Sequence, residues 1–460
     1  MSRIWAVARH MIAEGIRTKT AVVFMALMGV LLVVLPFTVA GDGVTLKSRI
    51  QSLLSYSLGS VGALLSLLTV FLACSTLANE VRARQIFMIA CKPIPRWQFF
   101  AGKWLGIVVM DAALLLVAGA AVWAGTWYLK SQPTYPDDRA AVDTDVLTVR
   151  YGAKIEEPDF APMVEERIRK LREEGRLSET SADGRRGIRQ DIYDEFKAGW
   201  RTMRPGEYKD FTFKNLLVNR EDPKALLYLH FKPRSSAGVE DTIFKARWRC
   251  GDRNDINTLG PLQEADFIVG RFHSVPVPAW AVNKDGVLYV RMQNVDSRDT
   301  IVFEGSDSFE VLYDIGTFHW NLFRALAIVW CRLAFLAVLG LAASTFLSFP
   351  VAAMVTFLVM LVATASGFLT EAIAGVAQQG TLPDPLWIVG PVLRPIASIF
   401  VALVPDFSKF DPVGTVVAGR VVPLIWVIQS LVKLVLIQGL ALGVLGGAIF
   451  TRRELAQVTV

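Results

Sequence analysis

Long uncharged runs alternate with charged stretches along this chain, and their lengths set out its elements. Residues 2–20 carry Arg3, Arg9, Arg17 and Lys19, with Ile4, Ala8, Met11, Ile12 and Ala13 at roughly helical spacing, which predicts an amphipathic helix lying on a membrane surface. Residues 21–40 are uncharged and about long enough to cross a hydrocarbon core. A cleaved signal peptide ending near Val39-Ala40 is the rival reading of that run. Residues 50–79 again carry no charge, and 104–129 carry only Asp111. This predicts a second span from about Tyr56 to Ala78, after an exterior loop over 41–55, and a third over 104–129 closed by Trp123, Trp127 and Tyr128 at headgroup level. Residues 317–332 predict a helix that starts in the outer interface. The uncharged run 333–370 holds most of two spans that turn at Ser348-Phe349-Pro350. A last span is expected over 428–450, where Gly439, Gly443, Gly446 and Gly447 permit close packing and Lys433 lies near the outer end. Residues 386–404 are apolar but broken by Pro391, Arg394 and Pro395. Counting them as a crossing would put Arg452-Arg453 outside, so they read as a re-entrant or interfacial exterior helix followed by a polar exterior stretch, 405–412.

Between the third and fourth spans the pattern changes. Residues 130–317 are charged and rich in turn signals, and long enough for a core of their own. Val164, Ile168 and Leu171, then Ile188, Ile192, Phe196 and Trp200, predict two helices that stop before Pro205-Gly206. Period-two alternation follows. Phe211 and Phe213 open it; Leu227, Leu229 and Phe231 oppose Tyr228, His230 and Lys232; Phe244, Ala246, Trp248 and Cys250 oppose Lys245, Arg247 and Arg249. Asp285-Gly286 marks a turn before Leu288, Val290 and Met292, and 302–303 and 309–313 complete at least six strands. The expected fold is a polytopic α-helical membrane protein with six transmembrane helices. Between helices 3 and 4 it carries an extracytoplasmic, mainly-β domain, a sandwich of jelly-roll type with a helical insertion near its start. The parts are an amino-terminal membrane half (1–129), the extracytoplasmic domain (130–317) and a carboxy-terminal membrane half (318–460).

Composition fits this division. The 460 residues are 53% hydrophobic with a net charge of +6, and the mean hydropathy is +0.41, too apolar for an ordinary soluble protein. Basic residues concentrate beside the spans, so the charge sets orientation and does not mark a nucleic-acid footprint. Cys74, Cys91, Cys250 and Cys331 are scattered, and only Cys250 falls in the exterior domain, which excludes an internal disulfide there. His10, His230, His273 and His319 have no ligand spacing. Trp248 and Trp280 are candidate stacking platforms for a carbohydrate, although an aromatic on the apolar side of an alternating strand, as Trp248 is, belongs in a core. No serine–histidine–acid, paired-carboxylate or metal constellation can be assembled from spacing, which favours binding or mechanical work over catalysis.

The stretch with the most specific chemistry is 79–106, NEVRARQIFMIACKPIPRWQFFAGKWLG. Five cations, Arg82, Arg84, Lys92, Arg96 and Lys103, stand against Glu80 alone, and a basic loop between spans faces the cytoplasm. Ile86, Phe87, Met88 and Ile89 are too apolar for a solvated loop and read as a short helix in the interface or docked into a partner. Lys92-Pro93-Ile94-Pro95-Arg96 ends that helix. Within the spans, Asp111, Arg332 and Glu371 are charged candidates. Asp111 lies near enough to the cytoplasmic end to pair with an Arg or Lys, and Arg332 has Glu371 as a possible partner near the outer end of span five.

The N-E-x-x-x-x-x-I-F, K-P-I-P-R-W and A-G-K-W-L-G strings of this loop resemble the corresponding loop in permease subunits of type 2 ABC exporters. The likeness is to the subgroup of gliding-motility and nitrous-oxide-reductase maturation permeases. Ser344 to Ala352, S-T-x-L-S-F-P-V-A, and the terminal F-x-R-R-E-L from Phe450 are similar to the same family. The resemblance implies that the loop is a coupling helix docking on a separate ATPase subunit, with Glu80, Arg82, Arg84, Phe87, Lys92, Pro93, Pro95 and Arg96 as the coupling residues. It also implies two permeases, identical or related, on two ATPases in the inner membrane, with both termini cytoplasmic and the large domain periplasmic. No G-x-x-x-x-G-K-[ST] occurs in the chain, so this chain is expected to bind no cofactor and to be no enzyme by itself, with ATP and Mg held by the partner ATPase. Membrane lipid and an extracytoplasmic accessory protein are further expected partners; nucleic acid is not. The alternatives are a membrane-anchored extracytoplasmic binding or assembly protein without transport activity, and a membrane enzyme acting on lipid or glycan.

Overall fold

A computed structural model of the chain describes residues 2–17, 19–39, 41, 45–82, 95–174, 182–220, 225–236, 238, 242–252, 259–295, 299–304, 308–378 and 405–452. It divides into two compact units, Met1–Val149 with Gly316–Val460, and Arg150–Ile315.

The first unit is helical: α1 (Ser2–Arg17), α2 (Lys19–Thr38), α3 (Leu46–Arg82), α4 (Arg96–Ser131), α5 (Pro136–Asp145), α8 (Phe318–Ser344), α9 (Phe349–Gln378), α10 (Pro412–Val417) and α11 (Leu424–Arg452). Among the described residues, α2, α3, α4, α8, α9 and α11 are the six helices long and apolar enough to cross a membrane. Helices α3, α4 and α8 form the interior, while α2, α9 and α11 turn most of their apolar surface outward. Two indoles fasten the interior: Trp104 Nε1 donates to Ala334 O and Trp330 Nε1 to Val108 O, each at 3.0 Å. Such side-chain bonds to a neighbouring backbone satisfy indole N–H groups that the packed interior shields from water. The last of these six, α11, is α-helical except for a π-helical stretch, Leu431–Gly439, an uncommon geometry over such a length.

Helix α3 begins at Leu46, where the sequence predicts an exterior loop to residue 55. Lys47 and Arg49 suggest that loop, yet Leu46, Ile50, Leu53 and Leu54 are buried at three- and four-residue spacing. The two cations are satisfied inside the unit: Lys47 Nζ lies 2.7 Å from Asp145 Oδ2, and Arg49 Nε donates to Val39 O at 3.0 Å. Residues 130–149, polar in sequence, thus group with the apolar helices.

The second unit holds α6 (Ala161–Glu173), α7 (Ala182–Arg201) and, with the start of its first strand and the end of its last assigned to the first unit, β1 (Thr148–Lys154), β2 (Thr202–Met203), β3 (Tyr208–Phe213), β4 (Leu226–Phe231), β5 (Arg234–Ser235), β6 (Ile243–Cys250), β7 (Gln263–Ile268), β8 (His273–Pro278), β9 (Leu288–Asn294), β10 (Ile301–Val302) and β11 (Phe309–Thr317). One four-stranded sheet has the order β1-β11-β4-β8, another β3-β9-β6-β7, and β2-β10-β5 form a small third. The pairs β4–β8, β4–β11, β3–β9, β6–β9 and β6–β7 are antiparallel. Alternation explains the packing: Leu227, Leu229 and Phe231 on β4 share one core with Phe211 and Phe213 on β3, Phe244 and Trp248 on β6 and Phe309 on β11. The Phe211 and Phe309 rings are 4.6 Å apart. Asp285-Gly286 forms the turn before β9, with Gly286 at φ 71° and the Asn283 side-chain oxygen accepting from the N–H groups of Asp285 and Val287. Helices α6 and α7 bury Val164 and Ile192, with Ile168, Leu171, Ile188 and Phe196 packed against them.

Candidate functional site

The sequence places its most specific chemistry at 79–106. Of the coupling candidates, Arg84, Phe87, Lys92 and Pro93 lie outside the described residues. Glu80 and Arg82 belong to the last turn of α3, where only the backbone is described. Pro95 is the residue before α4, in extended geometry at φ −57° and ψ 138°, the conformation that a proline before a helix start allows. Arg96 opens the helix.

The first turns of α4 bind two other elements. Arg96 Nη1 donates to Phe450 O and to Thr451 O, both at 3.1 Å. These carbonyls belong to the carboxy-terminal turn of α11, where a cation satisfies acceptors that have no partner within the helix. Phe99 stacks on Phe450 with ring centres 6.4 Å apart. On the other side of α4, Gly102 and Gly106 form the surface on which α1 rests: a Cβ built on Gly102 would stand 2.7 Å from Val7 Cβ, and one on Gly106 2.7 Å from Met11 Cβ and 2.8 Å from Ala8 O. Ala8 and Met11 are buried by this contact. Lys103, between the two glycines, is 1% exposed, and its Nζ lies 3.1 Å from Glu14 Oε2 on α1. A buried ammonium is costly unless paired, so this ion pair fixes how far along α4 the amphipathic helix sits. The contact is what the Gly-Lys-x-x-Gly spacing of 102–106 provides.

Asp111, one to two turns further along α4, is fully buried. Among the described residues it pairs with neither an Arg nor a Lys. The Thr69 hydroxyl on α3 donates to Asp111 Oδ2 at 2.9 Å and also reaches Leu65 O at 2.7 Å, while Asp111 Oδ1 has no hydrogen-bond partner among the described residues. Lys103, the buried cation of the same helix, is paired with Glu14 instead. Asp111→Asn keeps an acceptor for Thr69 while removing the ionisable group. It should change unfolding stability by about 1 kcal/mol at most, measured by thermal unfolding in detergent; a loss several times larger would mean that the acid itself holds α3 to α4.

Arg332 lies midway along α8; the side chain of Glu371, its expected partner, lies outside the described residues. Nη2 donates to Phe407 O at 2.5 Å and to Phe410 O. The Asp411 and Asp406 carboxylates are close enough to act on it electrostatically. Asp406 in turn accepts from Ser366 Oγ on α9 at 2.6 Å, from Ser408 Oγ at 2.7 Å and from the backbone N–H groups of Ser408 and Lys409. Burial pushes its carboxyl up, but these hydrogen bonds prevail and hold it below the usual carboxylate range. Residues 405–411, polar in sequence, are thereby tied down between α8 and α9.

In the second unit Trp248 is a core residue, 5% exposed, whereas Trp280 is 40% exposed. Burial pushes the Cys250 thiol up to about 12, so it is an inert packing group. Across the first sheet, β8, β4 and β11 bring Ser274, His230 and Glu310 into one row in register, a grouping that sequence spacing does not reveal. His230 Nδ1 lies 2.8 Å from Ser274 Oγ, and its ring stacks on Phe272 at 4.8 Å. Among the described residues no group of His, Cys, Asp and Glu could hold a metal ion.

The residues that sequence reading missed are Glu14, Gly106 and the carbonyl acceptors of Arg96 and Arg332. Glu14 had a signal: it is the sole acid in the first twenty residues. Carbonyl acceptors have none, since every residue supplies one. Comparison with protein-family models, with curated proteins and with solved structures gives no match for this chain.

Proposed function

We propose that this chain is the membrane-spanning permease subunit of an ATP-driven exporter of the type 2 ABC class. In this reading the segment around 83–94 docks on a separate ATPase subunit through Arg84, Phe87 and Lys92, with Glu80, Arg82, Pro93, Pro95 and Arg96 at its margins. ATP and Mg belong to that partner, and a second permease copy or a related one completes the assembly in the inner membrane. The observation that carries the reading is the junction immediately after this segment. From Arg96 to Gly106, α4 is fastened at once to α1, through Gly102, Lys103 and Gly106, and to the end of α11, through Arg96 and Phe99. A push on 83–94 would therefore move three elements together, which is what a coupling segment must do.

The unit Arg150–Ile315 is read as a periplasmic jelly roll. Its two four-stranded orders, β1-β11-β4-β8 and β3-β9-β6-β7, run in the double-sheet pattern of that fold, and it would receive, shield or hand on cargo. Exporter and anchored binding protein differ in one outcome. The full chain purified from its native membranes should bring with it a chain bearing a Walker motif. In the Arg84→Glu, Phe87→Ala variant its recovery should fall about tenfold, the loss expected for one rim charge and one apolar anchor. Undiminished recovery, or no such chain with the unaltered protein, would contradict the proposal.

A further inference from the structure

An apolar groove of about 710 Å³ runs between the first turns of α4 and the second half of α11, within the range of clefts that enclose a small ligand. Trp97, Phe100 and Trp104 line it from α4; Gly443, Val444 and Gly447 line it from α11. The α11 glycines divide into two kinds. A Cβ on Gly446 would lie 2.8 Å from Ala342 Cβ, so that glycine is needed for helix packing on α8. A Cβ on Gly443 would make an ordinary 3.5 Å contact with Val338, and one on Gly447 would meet nothing within 4 Å. Packing does not require glycine at either position. What the missing side chains leave is the floor of the groove, walled outward by the exposed Leu436, Leu440 and Val444 at four-residue spacing.

We propose that this groove seats an acyl chain of an anionic phospholipid, with the headgroup phosphate held at its basic mouth. The inference rests on the membrane-spanning reading of α4 and α11 and is independent of the ATPase partner. Three features select this occupant. The lining is apolar side chains and glycines, with two indoles and with Thr451 at one end, so the long part of the ligand is apolar. That end carries two arginines, Arg96, whose guanidinium caps the last α11 carbonyls, and the exposed Arg452, one residue beyond Thr451, and no acid lines the groove. Trp97, 55% exposed, stands at the same end, where indoles mark the headgroup level of a bilayer. Charge complementarity with an anionic headgroup thus sits at the end of an acyl-sized cleft. The bound lipid would also touch the residue next to Arg96, at the junction that follows 83–94.

The test is native mass spectrometry of the full chain after a delipidating detergent wash, with add-back of phosphatidylglycerol or phosphatidylcholine. One phosphatidylglycerol per chain should be retained, at about tenfold preference over phosphatidylcholine, as one or two arginines at a headgroup imply. Gly443→Leu with Gly447→Leu should abolish retention by filling the floor. Arg452→Gln, an exposed change that leaves the fold alone, should reduce the preference and keep the occupancy. Equal retention of phosphatidylcholine, or retention unaffected by the leucine pair, would overturn the proposal. So would a disulfide between Gly443→Cys chains in the membrane, because a second copy would then fill the groove. None of these results depends on whether an ATPase co-purifies, so the two proposals fail separately.

Discussion

Gly106→Leu should detach α1 from the rest of the helical unit. The neighbours that its Cβ would strike, Met11 Cβ at 2.7 Å and Ala8 O at 2.8 Å, lie close to or on the α1 backbone. No rotamer change relieves a collision with a carbonyl, so the two helices must separate. Separation also breaks the pair between Lys103 and Glu14, which are 3.1 Å apart, and leaves a buried ammonium without its counter-charge. Overpacking alone costs about 1–3 kcal/mol, and loss of a partner from a buried pair adds to it, so a total of about 3 kcal/mol or more is expected. Thermal unfolding in detergent should show the loss, with faster tryptic cleavage after Arg9 and Arg17. Gly62→Leu is the control: nothing lies within 4 Å of a Cβ built there, and its effect should stay within about 0.5 kcal/mol. Equal effects at the two positions would mean that α1 is not held through α4.

Arg332→Met should release residues 405–411 from α8. The methionine keeps much of the apolar stem and removes every donor, so Phe407 O and Phe410 O lose the guanidinium that now serves both. Phe407 and Phe410 are buried, which denies the freed carbonyls water, and Asp406 and Asp411 lose a cation that acts on them electrostatically. Removing one partner from a buried charge cluster costs about 3–5 kcal/mol. Arg332→Lys keeps the charge but cannot fork between two carbonyls, so it should recover only part of that loss. Thermal unfolding and cleavage after Lys409, which is exposed, would measure both variants. A methionine variant as stable as the parent would show that Ser366 and Asp406, 2.6 Å apart, hold the segment alone.

The long-range terms are what the sequence leaves unread. Uncharged runs announce six apolar helices, and period-two alternation announces strands such as β4 and β6, because both signals are local. Helices α6 and α7 follow from the spacing of Val164, Ile168 and Leu171 and of Ile188, Ile192 and Phe196 for the same reason. Leu46 to Leu54 were hidden beside two cations whose partners, Asp145 and Val39 O, lie elsewhere in the chain. Lys103 reads as one more cation of a basic loop until Glu14, 89 residues away, is found against it. Gly106, inside the A-G-K-W-L-G string, gives no local sign that α1 approaches it. Asp111 and Arg332 stand out as intramembrane charges, yet the hydroxyl and carbonyl groups that receive them are too common in the sequence to nominate. The coupling candidates Arg84, Phe87, Lys92 and Pro93 and the re-entrant stretch 386–404 lie outside the described residues, and the case for them is the sequence pattern together with the junction that α4 makes beside them.

The account depends on six crossings that put residues 83–94 and the unit Arg150–Ile315 on opposite sides of one membrane. The direct measurement uses the full chain with its native cysteines replaced and a single cysteine introduced, exposed to a membrane-impermeant maleimide in intact cells. Ser236→Cys, at an exposed position in the strand-rich unit, should label from outside, while a lone cysteine at position 91 should label only after the membrane is opened. Labelling of position 91 in sealed cells, with Ser236→Cys protected, would contradict the account.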